Sequence, residues 1–465
     1  MYKLLSGDTI CALSTPPGTG AIAVIRVSGP EAIAVCSRIF HPSGKKAMLA
    51  DAGSRTIHHG YIGDENNLLD EVLLSVFRNH HSYTGEDVIE ISCHGSVYIQ
   101  QKILELLISH GLRMAQPGEF TLRAFMNGKL DLSQSEAVAD LIASQSRSSH
   151  DLALEQLRGG FSKKIKELRE KLVNLTSLIE LELDFSEENV EFADRKELLK
   201  LLLELKEEII LLINSFTLGN VIKNGIPVAI IGKPNTGKST LLNAILNEEK
   251  ALVSEIPGTT RDAIEDMIVI GGYTFRFTDT AGLRQARGKI ETMGIERTRE
   301  KIRKAVVILY VFDVTLDSVK ELFNDIKEFR EPAGDGLKKL ILVGNKTDKL
   351  KKIPAALKKI KEPETVFVSA KQKENIHSIS EILLRYVSEI GITGSTVISS
   401  ARHLDALKNT LLSIESIRDG LGTGLSTDLL TTDLRKALYH LGTITGEIST
   451  DEILGNIFSR FCIGK

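Results

Sequence analysis

Tryptophan is missing from the 465 residues, aromatic side chains make up only 5%, and there are four cysteines. Cys11, Cys36, Cys93 and Cys462 show no C-x-x-C spacing, and four thiols cannot staple a chain of this length. Zinc ribbons and small secreted disulfide scaffolds are therefore excluded, and a reducing cytoplasm fits best. No apolar run approaches the roughly 18 residues that a membrane helix needs, and no basic-then-apolar segment opens the chain, so neither a bilayer span nor a signal peptide is expected. Lysine and arginine (58) nearly balance aspartate and glutamate (61), and the net charge of −3 gives no overall attraction to nucleic acid. RNA contact must come from local patches or from a partner. The lysines at 349, 351, 352, 358, 359 and 361 form one basic run, whose plainer reading is a solvated face. With 42% hydrophobic residues, the length suits about three domains.

What the sequence does hold begins at residues 232–239, Gly-Lys-Pro-Asn-Thr-Gly-Lys-Ser, behind the apolar run Val228-Ala-Ile-Ile231. A glycine-rich turn between a strand and a helix aims successive backbone N–H groups and a helix N-terminus at one point, which suits a polyphosphate. Lys238 is placed to neutralise the β- and γ-phosphates, and the Ser239 hydroxyl to bind Mg²⁺.

About a hundred residues on, the strand-like Leu340-Ile-Leu-Val343 runs into Gly344 and then Asn345-Lys346-Thr347-Asp348. A carboxylate placed like Asp348 accepts from both N1–H and the N2 amine of guanine, a donor pair that adenine lacks. Asn345 would brace the site and the Lys346 stem would cover the base. The backbone around Ser369, Ala370 and Lys371 would meet the guanine oxygen. Between these motifs lie Asp279-Thr280-Ala281-Gly282 and, upstream, Gly258-Thr259-Thr260-Arg261-Asp262. Asp279 would hold Mg²⁺ through water, Gly282 N–H would reach the γ-phosphate, and Thr260 would reach the metal. Five such elements in this order resemble the translation-factor-like branch of the P-loop GTPases.

Two positions depart from the Ras pattern. The residue after Gly282 is Leu283, which has no group to orient water, so the attacking water needs another holder. Glu291 is the candidate, since a carboxylate can orient water directly or through a second water, although by itself it reads as a surface glutamate. Asn235 is the other oddity, beside the phosphates. Charge near the β–γ bridge could come from Arg261, from a partner's arginine, or from a monovalent cation on Asn235 and loop carbonyls. The plain alternative is that Asn235 stabilises the turn.

The whole set of segments resembles the MnmE (TrmE) family of tRNA-modification GTPases. The resemblance rests on 232–239, Ser254-Glu-Ile-Pro-Gly-Thr-Thr-Arg-Asp262, Asp279-Thr-Ala-Gly-Leu-Arg284 and Gly294-Ile-Glu-Arg297. It rests also on Ser82-Tyr-Thr-Gly-Glu-Asp87, Cys93-His94-Gly95 and the final Phe458-Ser-Arg-Phe-Cys-Ile-Gly-Lys465, and so spans nearly the full length. It implies a GTP site drawn from Asn235, Thr236, Gly237, Lys238, Ser239 and Thr240, then Ser254, Glu255, Ile256, Pro257, Gly258, Thr259 and Thr260. Asp279, Thr280, Ala281, Gly282, Asn345, Lys346, Asp348, Ser369 and Ala370 complete it. Mg²⁺ would sit on Ser239 and Thr260, K⁺ on Asn235, Ser254, Ile256 and Thr259, and Glu291 would be catalytic.

The resemblance further implies an N-terminal domain similar to tetrahydrofolate-binding domains that forms a homodimer. Arg26, Glu90, Lys129 and Lys465 would contact a 5,10-methylene or 5-formyl folate. A pterin carries a donor pattern like guanine's, so Glu90 is a chemically sensible reader. An FAD-dependent MnmG (GidA)-like partner, tRNA as substrate and a cytoplasmic location are implied in the same way. Cys462, in a tail that superficially resembles a prenylation box but ends in lysine, reads as packed. Neither it nor the Cys93–His94 neighbours, which a strand would point to opposite faces, is given a catalytic role.

The expected fold is multidomain, α/β plus all-α. Residues 1–126 form a mixed α/β domain, with a strand at Ala21–Val27, a helix starting near Ser28–Glu31 and a strand at Val88–Ile91. Residues 127–217 and 386–465 form one helical domain, and the GTPase domain, 218–385, is inserted into it through joints near Leu218-Gly-Asn220 and Ile392-Thr-Gly394. Ile165, Leu168, Leu172, Leu175 and Ile179 make one apolar helix stripe, and Leu404, Leu407, Leu411 and Ile414 another. The rival reading is an Era-like ribosome-assembly GTPase, an RNA-binding switch that leaves Arg26, Glu90 and Lys465 without a role.

Overall fold

The computed structural model describes residues 7–44, 49–64, 67–184, 195–248, 265–278, 302–303, 305–316, 318–329, 338–360, 362–389, 397–423, 427–459 and 461–465. Two compact units emerge, one of residues 1–139, 156–205 and 409–465, the other of 140–155 and 206–408.

The first unit is built on seven strands: β1 (Ile10–Leu13), β2 (Ile22–Ser28), β3 (Phe40–Pro42), β4 (Thr56–Asp64), β5 (Asn67–Phe77), β6 (Val88–His94) and β7 (Arg113–Met114). Their order is β3-β4-β5-β6-β2-β1-β7, antiparallel throughout except for the β1–β7 pair. Side chains alternate along a strand, so β2 sends Ala23, Ile25 and Val27 into a core under the helices Ala32–Ile39 and Val97–Ser109. Ile22, Val24 and Arg26 face the other way. That second face is covered at β1, where Ile10 and Ala12 pack with Ala115 and Phe120, and open further along, where Ile22, Ile57, Tyr61 and Leu73 expose much of their apolar surface. The strands and the helix expected from the sequence are present, with β6 running three residues further, to His94.

The helical part of this unit carries the first expected stripe. Ile165, Leu168, Leu172, Leu175 and Ile179 lie along helix Gly160–Asp184 and are essentially fully buried. This helix packs against Thr427–Thr445, whose Leu434, Ala437, Leu441 and Ile444 are wholly enclosed. Segments from before and after the nucleotide-binding stretch thus share one core, as amphipathic faces require. The second stripe is shifted. In helix Ala401–Thr423, Leu407 and Ile414 are buried but Leu404 and Leu411 only partly so, and the polar His403 and Thr410 lie on the inner line.

Among its described residues the second unit has six strands, β8 (Ile226–Ile231), β9 (Glu265–Ile270), β10 (Tyr273–Thr278), β11 (Val307–Asp313), β12 (Lys339–Asn345) and β13 (Glu364–Phe367). They are ordered β13-β12-β11-β8-β10-β9, with only β9 antiparallel to its neighbour. Two apolar clusters cover the sheet, one with helices Lys238–Glu248 and His377–Glu389, the other with Val319–Phe329 and Leu357. Central β11 is buried along its whole length, which is why it reads as an unbroken apolar run. Ligands of such doubly wound sheets bind beyond the C-terminal ends of the strands.

The expected joint at 218–220 is not a turn. Helix Arg195–Asn224 runs straight through it. Gly219 serves close packing instead, because a Cβ there would strike the Ile398 carbonyl. The joint at 392–394 lies outside the described residues. Among the described residues, no helix is long and apolar enough to cross a membrane.

Candidate nucleotide site and candidate folate site

At the end of β8 the chain turns on Gly232, φ +144°, where a Cβ would collide with the Val311 carbonyl of β11. Gly237, φ +96°, passes so close to the Asn345 amide that no side chain fits there either. Asn235 takes a left-handed φ of +64°, which asparagine tolerates better than most residues. Helix Lys238–Glu248 starts directly behind this loop and aims its free N–H groups at it. Lys238 Nζ donates to the carbonyls of Gly232 (2.9 Å) and Lys233 (2.8 Å), and the buried Thr236 hydroxyl donates to Lys233 O at 2.9 Å. Ser239 sits in the first helical turn, the place for a hydroxyl ligand of Mg²⁺ beside a bound phosphate.

Asn345 ends β12 and is almost fully buried. Its Nδ2 donates to Thr236 O at 2.8 Å, and its Oδ1 accepts from the backbone N–H of Lys346 (2.8 Å) and Ala370 (3.0 Å). One amide side chain therefore ties the phosphate loop to both segments that a guanine base would touch. Ser369 Oγ donates to Asp348 Oδ1 at 2.7 Å, which aims that carboxylate. Lys346, with φ +70°, sends Nζ to the Asn235 carbonyl at 2.7 Å and to Asp313 Oδ2 at 2.6 Å.

Asp313 is absent from the sequence-derived set. It closes β11, is nearly buried, and also accepts from the Thr315 N–H and hydroxyl. Burial by itself would raise its carboxyl, but the bonds from Lys346 and Thr315 hold it below the usual aspartate range. The available signal was an acid at the C-terminal end of an otherwise apolar central strand.

The structure thus gathers Asn235, Thr236, Gly237, Lys238, Ser239, Asn345, Lys346, Asp348, Ser369 and Ala370 around one edge of the sheet. Ser254 to Arg261, Asp279 to Leu283 and Glu291 lie outside the described residues, and with them the expected Thr260 metal contact and most of the K⁺ set.

In the first unit, Arg26 and Glu90 are cross-strand partners on β2 and β6. Arg26 Nε and Nη2 donate to Glu90 Oε1 at 2.9 and 2.7 Å, and the guanidinium lies 5.3 Å from the Tyr83 ring centre and 5.5 Å from that of Phe120. The C-terminal tail reaches the neighbouring strand: Gly464, φ +96°, packs on Leu13, and Ser14 Oγ donates to Gly464 O at 3.1 Å. Leu13 adjoins Ala12, the register partner of Arg26, so the tail ending in Lys465 approaches the Arg26–Glu90 pair. Lys129 Nζ donates to His80 O at 2.7 Å.

Cys93 and His94 do point to opposite faces. Burial pushes the Cys93 thiol up to about 11, while the exposed His94 ring meets Asp70 at 2.7 Å. Cys462 is exposed rather than packed, a correction to the expectation; its carbonyl accepts from Gly118 N–H at 3.4 Å. Beneath this region lies a charge network that the sequence reading missed. Arg123 Nη2 bonds Asp8 at 2.7 Å and Glu119 at 3.1 Å, its Nη1 meets Glu86 at 3.1 Å, and Arg113 bonds Asp8 and Glu119.

A glycine-rich loop between strand and helix, joined through a buried asparagine to an N-K-x-D carboxylate, defines a P-loop guanine-nucleotide domain. Comparison with known proteins places it more narrowly. The family model described as GTP-binding protein TrmE N-terminus matches residues 9–129, and the MnmE helical domain model matches 132–462. A tRNA modification GTPase MnmE from Flavobacterium psychrophilum is 51% identical over 460 residues, covering 98% of this chain and 99% of that protein. Another, from Bacteroides thetaiotaomicron, is 50% identical over 471 residues, covering 99% and 100%. Among solved structures, an Aquifex aeolicus Era shares 26% identity over 40% of this chain and 65% of its own, with a TM-score of only 0.28. The chain belongs to the MnmE family.

Proposed function

We propose that this protein is a K⁺-dependent GTP hydrolase that acts on tRNA in the cytoplasm. With an FAD-dependent MnmG-like partner it converts C5 of the wobble uridine, position 34, to a (carboxymethyl)aminomethyl-type group, taking the one-carbon unit from methylene-tetrahydrofolate. The observation that carries the guanine-nucleotide part is Asn345, whose single side chain joins the phosphate loop at Thr236 to the base-side segments at Lys346 and Ala370. Relatives of nearly identical length named tRNA modification GTPase MnmE support the substrate.

Asn235, Ser254, Ile256 and Thr259 are proposed to hold K⁺, Ser239 and Thr260 to hold Mg²⁺, and Glu291 to orient water. When bound, the two cations supply positive charge to the phosphates. Asn235 stands inside the glycine-rich loop, which supports a place for it near the phosphates. Arg26, Glu90 and Lys465, with Lys129 on the same unit, are proposed as the folate contacts. The Arg26–Glu90 pair supports this, being a partly exposed carboxylate fixed by two bonds from one guanidinium. The second face of the sheet, with Ile22, Ile57, Tyr61 and Leu73 uncovered, also supports a homodimer seated on the N-terminal sheet.

Domain limits are proposed at 1–126, 127–217, 218–385 and 386–465, with the GTPase domain inserted in the helical one. The helical family match, which spans 132–462 and so encloses the nucleotide segment, supports that insertion. The test is turnover by the purified chain: phosphate release from GTP but not ATP, in KCl but not NaCl. Equal rates with either base, or with either cation, would sink the reading.

A further inference from the structure

Resting on the guanine-nucleotide reading above, we propose that Asp313 is a positioning residue that locks the base-covering Lys346 onto the phosphate loop. Parallel register sets Asp313 of β11 beside Asn345 of β12 at the edge where the nucleotide would lie. Its two oxygens have different tasks. Oδ1 accepts from Thr315 N–H (3.0 Å) and Oγ1 (2.6 Å), which folds the turn after β11 and fixes the carboxylate plane. Oδ2 takes the Lys346 ammonium at 2.6 Å.

Lys346 is thereby held at both ends. Its backbone N–H is bound by Asn345 Oδ1, and its head is shared between Asp313 and the Asn235 carbonyl. The methylene stem stretched between these anchors is the part available to a purine face. A lysine head held only by a loop carbonyl would regain its rotamer freedom, so removing the carboxylate loosens the base platform and the turn at Asn235 together. A carboxylate at this depth is costly to bury unless paired, and the ammonium is the partner that makes its burial tolerable.

Asp313→Asn separates the two tasks. The amide keeps an oxygen for the Thr315 turn but sets an NH₂ donor against the ammonium. Release of mant-GDP from the purified full chain, followed by stopped flow, should be about tenfold faster in Asp313→Asn, the size of one charge-assisted hydrogen bond. Lys346→Ala should also speed release, and the double variant should be no faster than Lys346→Ala alone. Melting temperature is followed in parallel. Unchanged release in Asp313→Asn overturns the inference, and so does additivity in the double variant, which would mean that Asp313 acts without Lys346. If Asp313→Asn does not fold, Lys346→Ala against Lys346→Arg decides, because arginine can restore the ion pair and should recover most of the retention; no recovery overturns it. Should the wild-type chain fail to retain mant-GDP, the nucleotide reading falls and takes this inference with it, a result distinct from retention with no effect at Asp313.

Discussion

Replacing Glu90 by glutamine tests the candidate folate site at the atom that matters. Arg26 approaches Glu90 through Nε and Nη2, and both bonds end on Oε1, so a ligand's donors would meet Oε2. The guanidinium is in turn flanked by Tyr83 and Phe120, which fixes the pair before any ligand arrives. A pterin presents two adjacent donors, and a carboxylate accepts from both with charge assistance. Glutamine has the same length but one acceptor oxygen, so it can satisfy Arg26 or the pterin, and its NH₂ group opposes whichever is left. Losing one charge-assisted bond costs about 1.5–3 kcal/mol, or roughly a tenfold to hundredfold loss of affinity. The pair's side chains are 16% and 28% exposed and glutamine keeps one acceptor for Arg26, so the effect on stability should stay at about 1 kcal/mol. Titration calorimetry of the full chain with 5-formyl-tetrahydrofolate measures the affinity, and a thermal melt controls for folding. A dissociation constant within about threefold of wild type, from a variant that melts normally, would refute the assignment of Glu90 as the pterin reader.

Four further outcomes follow from the same reasoning. Glu291→Ala should leave GTP binding intact and lower turnover about a hundredfold, the usual size for a lost water-orienting or acid–base group, as read by phosphate release. Gly232→Ala should abolish GTP retention on a filter assay, because the new methyl group meets the Val311 carbonyl at a backbone angle of +144°, whereas Gly44→Ala, with open space around it, should behave as wild type. Leu172→Ala, at a fully buried position of helix Gly160–Asp184, should destabilise its unit by about 3–5 kcal/mol in urea followed by circular dichroism, since no tryptophan is present to report by fluorescence. For acid stability, burial opposes ionisation of Asp8 and Glu119, but hydrogen bonds and charges from Arg113 and Arg123 hold both carboxyls below their ordinary range. Their folded values lie under the unfolded ones, so this stabilisation is complete at neutral pH and drains as pH falls below about 4. Arg123→Met should shift the acid-unfolding midpoint upward, and an unmoved midpoint would discount the network.

Periodicity foretold the helical core where apolar residues alone define the inner line. Ile165 to Ile179 obey a 3-4-3-4 spacing and every one is buried. The same rule misplaced the stripe in helix Ala401–Thr423, because His403 and Thr410 are enclosed there while Leu404 and Leu411 are only partly covered. A leucine count cannot reveal a polar residue whose burial is tolerated once it is hydrogen-bonded, as His403 Nε2 is with Arg402. Gly219 misled in the opposite way. Glycine near asparagine looks like a turn, but in the last third of a long helix it permits contact with a backbone almost 180 residues away, which no local window contains.

The two halves of the nucleotide site differ for the same reason. Phosphate recognition depends on consecutive peptides bending in one place, so 232–239 states it within eight residues. The base end depends on neighbouring parallel strands ending together. Asn345 could be read because N-K-x-D is contiguous, yet Asp313 lies 33 residues before Lys346 and acquires its partner only when β11 and β12 align. Arg123 repeats the case: Glu119, one helical turn away, is a spacing that sequence shows, whereas Asp8 and Glu86 stand 115 and 37 residues off. An acid that ends a buried central strand of a doubly wound sheet faces the ligand edge by topology alone. Asp313, at the end of Val307–Asp313, meets that rule, and its removal should alter nucleotide release only through the lysine that it holds.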